Sequence, residues 1–137
     1  MKPRIAVLGT YPPTQCGIAT FSQSLVNALV LQHAQVGVVR LLEAPEPRPS
    51  AAVIHQHVAG LNANVTANVI NHHDAVVVQH EYGIFGGEDG AEILDILAKV
   101  KVPKIVVLHT VLRTPTRHQK IVMQGIIDAA DVLVTMT

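Results

Sequence analysis

His80 and His109 each stand at the end of a β-branched run, residues 75–79 and 104–108 respectively. An imidazole near neutral pH donates or accepts a hydrogen bond or carries a proton, which suits sugar hydroxyls, phosphate oxygens or proton transfer. A lone histidine is more often structural. Two at matching ends of neighbouring strands are expected to lie close together, which favours a shared site. Glu81 and Tyr82 follow His80 directly, and residues 80–90 hold four glycines, Gly83, Gly86, Gly87 and Gly90, as a loop that wraps a ligand closely would. Gly17 stands between the first apolar run and the first helical stretch. A missing side chain there opens backbone N–H groups to a phosphate, although a glycine equally serves a turn.

Other chemistries lack their motifs. Neither G-x-G-x-x-G nor G-x-x-x-x-G-K-[ST] occurs, which removes the main support for dinucleotide or P-loop binding. G-x-S-x-G is also absent, and Ser22 and Ser24 fall inside a helical stretch, so a serine nucleophile has no anchor. The pairs His55/His57 and His72/His73 lack helical i, i+4 spacing, and Cys16 is the single cysteine, so no metal is expected. His72, His73 and His33 are read as helix C-terminal residues meeting free carbonyls.

The elements that must position these residues alternate. Residues 5–8, 36–42, 75–79, 104–108 and 132–136 are short apolar runs, and 52–57 is a weaker candidate strand. Ile18, Phe21, Leu25, Leu29 and Val30 recur at helical spacing, as do Leu61, Val65, Val69 and Ile70. Asp89 and Glu92 have the spacing of a capping box ahead of Ile93, Ile96, Leu97 and Val100; Thr116 and Gln119 have it ahead of Ile121, Ile126 and Ile127. Residues 43–50 contain three prolines and form an exposed loop. Strands alternating with helices predict a doubly wound α/β fold, a mostly parallel Rossmann-like sheet covered on both faces. Ligands bind such sheets beyond the strands' carboxyl ends. The candidate loops are therefore 9–17, 80–90 and 109–117. A last strand with no helix to cover it reads as the edge of a longer protein.

The 137 residues suit one domain, with 49% apolar and 15% charged residues. Ten basic residues balance ten acidic ones, and two Phe, two Tyr and no Trp leave little for base stacking, so nucleic acid is not an expected partner. One cysteine fits a reducing, cytoplasmic setting. No stretch approaches the length of a membrane span, which leaves only a peripheral membrane contact open.

Taken together, Tyr11-Pro12-Pro13-Thr14-Gln15-Cys16-Gly17-Ile18-Ala19-Thr20-Phe21, Gln79-His80-Glu81-Tyr82-Gly83-Ile84-Phe85-Gly86-Gly87 and Leu108-His109-Thr110 resemble the N-terminal lobe of family 4 glycosyltransferases, retaining enzymes with two Rossmann-like lobes in the GT-B arrangement. The resemblance covers essentially the whole chain. It implies transfer of a glycosyl group from a nucleotide-sugar donor, without metal or other cofactor. Cys16, Gly17, Ile18 and His109 would face the donor; Tyr11, His80, Glu81 and Tyr82 would face the acceptor; His109 and His80 are the catalytic candidates. Many relatives have Gly-Gly where this chain has Cys16-Gly17. The nucleotide-gripping residues would belong to a C-terminal lobe of the same parent chain, without which this lobe is expected to be inactive. The competing readings are a non-catalytic flavodoxin-like or receiver-like binding domain, and a two-lobed epimerase or hydrolase relative.

Overall fold

A computed structural model describes residues 1–136. The order is β1 (Arg4–Gly9), α1 (Gly17–Leu31), β2 (Gln35–Leu42), β3 (Val53–Val58), α2 (Ala63–Ile70), β4 (Ala75–His80), α3 (Glu92–Lys99), β5 (Lys104–Leu108), α4 (Arg117–Ala129) and β6 (Val132–Thr135), with a short 3-10 turn at Glu88–Gly90. The strands form one sheet in the order β3-β2-β1-β4-β5-β6, every neighbouring pair parallel. The fold is the Rossmann-like α/β lobe that the alternation predicts.

Sheet growth reverses between β1 and β4. From β1 the chain moves outward to β2 and β3, then returns to pair β4 on the other edge of β1. This is the switch point at which open α/β sheets place their ligands. Its register is pinned from the opposite end of the strands. Asp74 accepts the Arg4 N–H on Oδ2 at 2.7 Å, and the Asp74 N–H donates back to Arg4 O. Asp131 and Lys104 repeat the arrangement between β5 and β6.

The main core lies on one face, where α2, α3 and α4 bring Ile70, Ile93, Ile96, Leu97, Val122 and Ile126 against Ala6, Leu8, Val78 and Val106. Full burial of side chains such as Ile93 and Ile96 stabilises the fold by about 2 kcal/mol each. The other face carries α1 and a smaller cluster of Val7, Tyr11, Val26, Val38 and Val53. Coverage does not reach the β6 edge of the sheet: all four residues of β6 are exposed, and α1 packs over β1 and β2.

Helix ends divide the capping expectations. Thr116 and Gln119 form the reciprocal box ahead of α4. Asp89 and Glu92 do not cap α3: its N-cap is Ala91, with no side-chain bond, and Asp89 lies in the left-handed region at φ 53°. An N-cap needs extended backbone, and the tight turn through Gly87 and Gly90 excludes it here. Asp89 instead bonds His118 Nδ1 at 2.8 Å, tying this loop to α4. His72 and His73 donate from Nδ1 to Asn68 O and Val69 O, as expected of helix-end histidines. At the end of α1, His33 takes a left-handed conformation and its backbone N–H bonds Val30 O.

Glu92 lies in a buried polar cluster that the sequence does not announce. It accepts from His57 Nε2 at 2.7 Å and from the Gly60 N–H at 2.5 Å. His57 Nδ1 and His55 Nε2 lie 2.6 and 3.0 Å from Thr66 Oγ1, a hydroxyl that donates once and accepts once and so serves both rings. Burial, with the neighbouring His57 second, holds the His55 pKa below its ordinary value.

Candidate functional site

The carboxyl ends of β1, β4 and β5 open onto one edge of the lobe. After β1 the chain turns through two prolines into α1, whose N-cap is Cys16 in extended conformation. Cys16 Sγ accepts the Ala19 N–H at 3.4 Å and lies 3.2 Å from Thr10 Oγ1. Cys16 thus takes a capping part that sequence reasoning did not assign to it. The N–H groups of Gly17 and Ile18, in the first turn, have no helical acceptor by position. A Cβ built on Gly17 would meet nothing within 4 Å, so this end of the helix is open to an incoming group. A cleft of about 450 Å³ adjoins it, lined by Thr10, Thr14, Cys16, Leu41, Gly83 and Ile84.

His109 and His80 are joined through the backbone, the His109 N–H bonding His80 O at 2.9 Å. Their rings nevertheless take different sides of the sheet. His80 is paired in register with Leu108, not with His109, and successive strand residues alternate in face. The expected equivalence is off by one residue. Gln79, not His80, shares the α1 side with His109: its Oε1 lies 2.6 Å from His109 Nε2, and Phe21 of α1 meets the same imidazole edge-on at 4.9 Å between centroids. Burial holds the His109 pKa below its ordinary value, which favours the neutral ring.

On the opposite side His80 is fully buried, stacked against Phe85 and edge-on to Tyr82, and among the described residues neither ring nitrogen has a hydrogen-bond partner. Burial lowers its pKa to about 4, with Glu81 pulling it up and His109 down. The covering loop is closed by Glu81, whose Oε2 accepts the Gly83 N–H at 2.7 Å. Gly90 is required behind it: φ is +69°, and a Cβ would lie 2.6 Å from Tyr82 O. Tyr82 also lines an apolar cavity of about 300 Å³ with Val111, Leu112, Pro115 and Met123.

Of the residues predicted for the site, Cys16, Gly17 and Ile18 form the N-cap and first turn of α1, and His109 lies on the same side of the sheet against Phe21, one turn further along that helix. Glu81 and Tyr82 lie on the loop after β4, over His80. Tyr11 departs from the expectation of an acceptor-facing ring, because that ring packs among Val7, Val26, Val38 and Val53 and is 6% exposed. Its carbonyl accepts from Arg40 Nε at 3.2 Å. Arg40 is a second residue the sequence reading missed. It is fully buried, and its guanidinium also reaches Gln56 Oε1, Thr14 Oγ1 and Glu46 Oε1, so it fastens the Pro-rich loop to the start of α1. Strand position alone would have suggested an apolar residue there.

The expectation of no metal was argued from the spacing of two histidine pairs and from the single cysteine, whereas the ligand-type groups that the structure brings together are others. Glu88, Asp89 and His118 bring ligand-type atoms within 4.8 Å of one another, with His118 and Asp89 already hydrogen-bonded. Among the described residues, no helix is long and apolar enough to cross a membrane.

No protein-family model matches the chain, and no curated protein matches it by sequence. Solved structures do match in fold. An alpha-glucosyltransferase in complex with UDP and a 13-mer DNA containing a central A:G mismatch superposes with a TM-score of 0.72 at 15% identity, over 98% of this chain and 37% of that one. An alpha-glucosyltransferase in complex with UDP gives 0.70 at 13%, over 99% of this chain and 35% of that one. Homoserine dehydrogenase of S. aureus gives 0.51 at 15%, over 98% and 32%. The chain spans little more than a third of the length of the glucosyltransferases. These likenesses establish a shared Rossmann-like fold. Neighbours that hold DNA lend no support to the expectation of no nucleic-acid partner.

Proposed function

We propose that this chain is the N-terminal, acceptor-side lobe of a GT-B glycosyltransferase, related to the retaining family 4 enzymes, that transfers a glycosyl group from a nucleotide-sugar donor. The observation that carries this reading is that, at the switch point of a lobe whose fold UDP-bound glucosyltransferases share, α1 presents an open N-terminus and, one turn further on, sets Phe21 against His109. In such a transfer, positive charge develops on the sugar ring and negative charge on the departing phosphate. Amides already aimed at that phosphate lower the barrier without reorganising. Gly17 and Ile18 supply such amides, with Cys16 closing the turn before them. His109, which packs against Phe21 of the same helix, contacts the donor sugar.

The acceptor is assigned to the loop after β4, where Glu81 and Tyr82 present polar groups beside the 300 Å³ cavity. His80 joins them only if Tyr82 and Phe85 uncover it. The cationic groups that hold the nucleotide are assigned to a C-terminal lobe of the parent chain, and lobe closure would exclude water from the donor. No metal is assigned a part in the transfer. Nucleic acid remains among the acceptor classes to be tried, since the glucosyltransferase structures contain it.

The test is a screen of nucleotide-sugar donors on the two-lobed parent, reading release of nucleoside diphosphate, with His109→Ala alongside. Donor-dependent release that falls at least tenfold in the variant supports the reading. Well-folded parent protein that neither binds nor consumes any donor ends it.

A further inference from the structure

His109 is held by a neighbour that the resemblance to known transferases does not single out. Gln79 is fully buried, one residue before the end of β4, and its Oε1 lies 2.6 Å from His109 Nε2. A carbonyl oxygen only accepts, so the proton of this bond belongs to His109 Nε2. The partner of one imidazole nitrogen sets the state of the other. Among the described residues His109 Nδ1 has no hydrogen-bond partner, and it is not one of the buried unpartnered atoms, so it keeps access to solvent.

The backbone beneath Gln79 is shaped to hold it. Gly9, at the end of β1, lies directly under the side chain: a Cβ there would come within 3.0 Å of Gln79 Cβ and Cγ and 3.4 Å of Ser22 Oγ. Phe21 of α1 packs edge-on against the imidazole. The strand, the glycine and the helix therefore leave Gln79 and His109 little freedom to part. A fully buried glutamine is costly unless its amide has a task, and among the described residues its Nε2 has no partner. Accepting the histidine proton is the task visible here.

We propose that Gln79 is a positioning residue, whose side-chain carbonyl holds His109 as the Nε2–H tautomer and leaves Nδ1 as the acceptor for a hydroxyl of the bound sugar. The sugar contact rests on the transferase reading above, whereas the tautomer does not. His109 would then receive a hydrogen bond from the donor sugar instead of giving one to its phosphate.

The experiment is long-range ¹H–¹⁵N spectroscopy of the uniformly labelled chain at neutral pH without donor, with His109→Gln to assign the ring signals. The expected result is a slowly exchanging proton on Nε2 and an unprotonated Nδ1. Gln79→Glu, which keeps an accepting oxygen, retains that proton; Gln79→Leu loses it to solvent exchange while the backbone amide spectrum stays folded. If Gln79→Leu does not fold, Gln79→Glu decides, because a stronger acceptor must move the Nε2 proton downfield. A proton on Nδ1 in the unaltered chain, or an unchanged Nε2 proton in folded Gln79→Leu, overturns the proposal. Since no donor is present, failure of the transferase screen and failure of this assignment remain separate results.

Discussion

Glu92 of α3 and His57 at the end of β3 face each other at 2.7 Å, with their side chains 11% and 2% exposed. The second carboxylate oxygen takes the Gly60 N–H, so one side chain secures two parts of the chain. Glu92→Ala leaves the His57 Nε2 proton and the Gly60 N–H without that partner and is expected to cost about 3 kcal/mol. Glu92→Gln preserves the bond from His57 but cannot accept as well from Gly60, and should cost less than half as much. Urea unfolding of the two variants measures both; equal losses would show that charge, not hydrogen bonding, holds this corner.

His80 gives the fold an acid limb. Its folded pKa of about 4 lies below the ordinary 6.5, so between those values the unfolded chain binds more protons and stability rises with pH. The contribution is fully present above pH 6.5 and is lost as pH falls towards 4, on the order of 3 kcal/mol in all. His80→Phe should flatten that limb in unfolding curves taken across the window. Some slope will persist, because burial shifts His55 and His109 in the same direction. Asp74 acts elsewhere: hydrogen bonding from the Arg4 backbone depresses its pKa, so its contribution persists above the ordinary 3.8 and is lost only below. An unchanged slope in His80→Phe would mean that His80 is not buried neutral.

Arg40 tests whether a buried cation organises the first loop. Arg40→Leu is expected to destabilise by about 3 kcal/mol, since Tyr11 O, Thr14, Gln56 and Glu46 all lose a donor. Glu46→Gln should cost under about 1 kcal/mol, because that carboxylate is half-exposed at 47%. Thermal melts of both variants suffice. A larger loss from Glu46→Gln than from Arg40→Leu would contradict this division.

Gly90 tests the loop that covers His80. Gly90→Ala forces a side chain into positive φ and against Tyr82 O at 2.6 Å, and is expected to cost about 2–3 kcal/mol. Hydrogen exchange should show faster opening of residues 81–90, with β1 and β5 little changed. Uniform acceleration across the sheet would place the strain in the whole fold instead.

The alternation of apolar runs with 3.6-residue periodicity was enough to determine the fold class, the four helices, the Thr116–Gln119 cap and the three loops at the strands' carboxyl ends. Those features depend on nearest neighbours and on the period of burial, which a linear chain displays openly. Pairing and facing do not. Whether Gln79 or His80 shares a side with His109 depends on a register in which His80 lies opposite Leu108, and a shift of one residue exchanges the two. Asp89 and Glu92 have the letters of a capping box, yet the positive-φ turn around them sends one to His118 and the other to His57. Arg40 and Tyr11 are buried together because α1 and the Pro-rich loop close over the end of β2. In each case contacts between residues far apart in the chain chose the face and the partner, and only the tertiary structure could decide them.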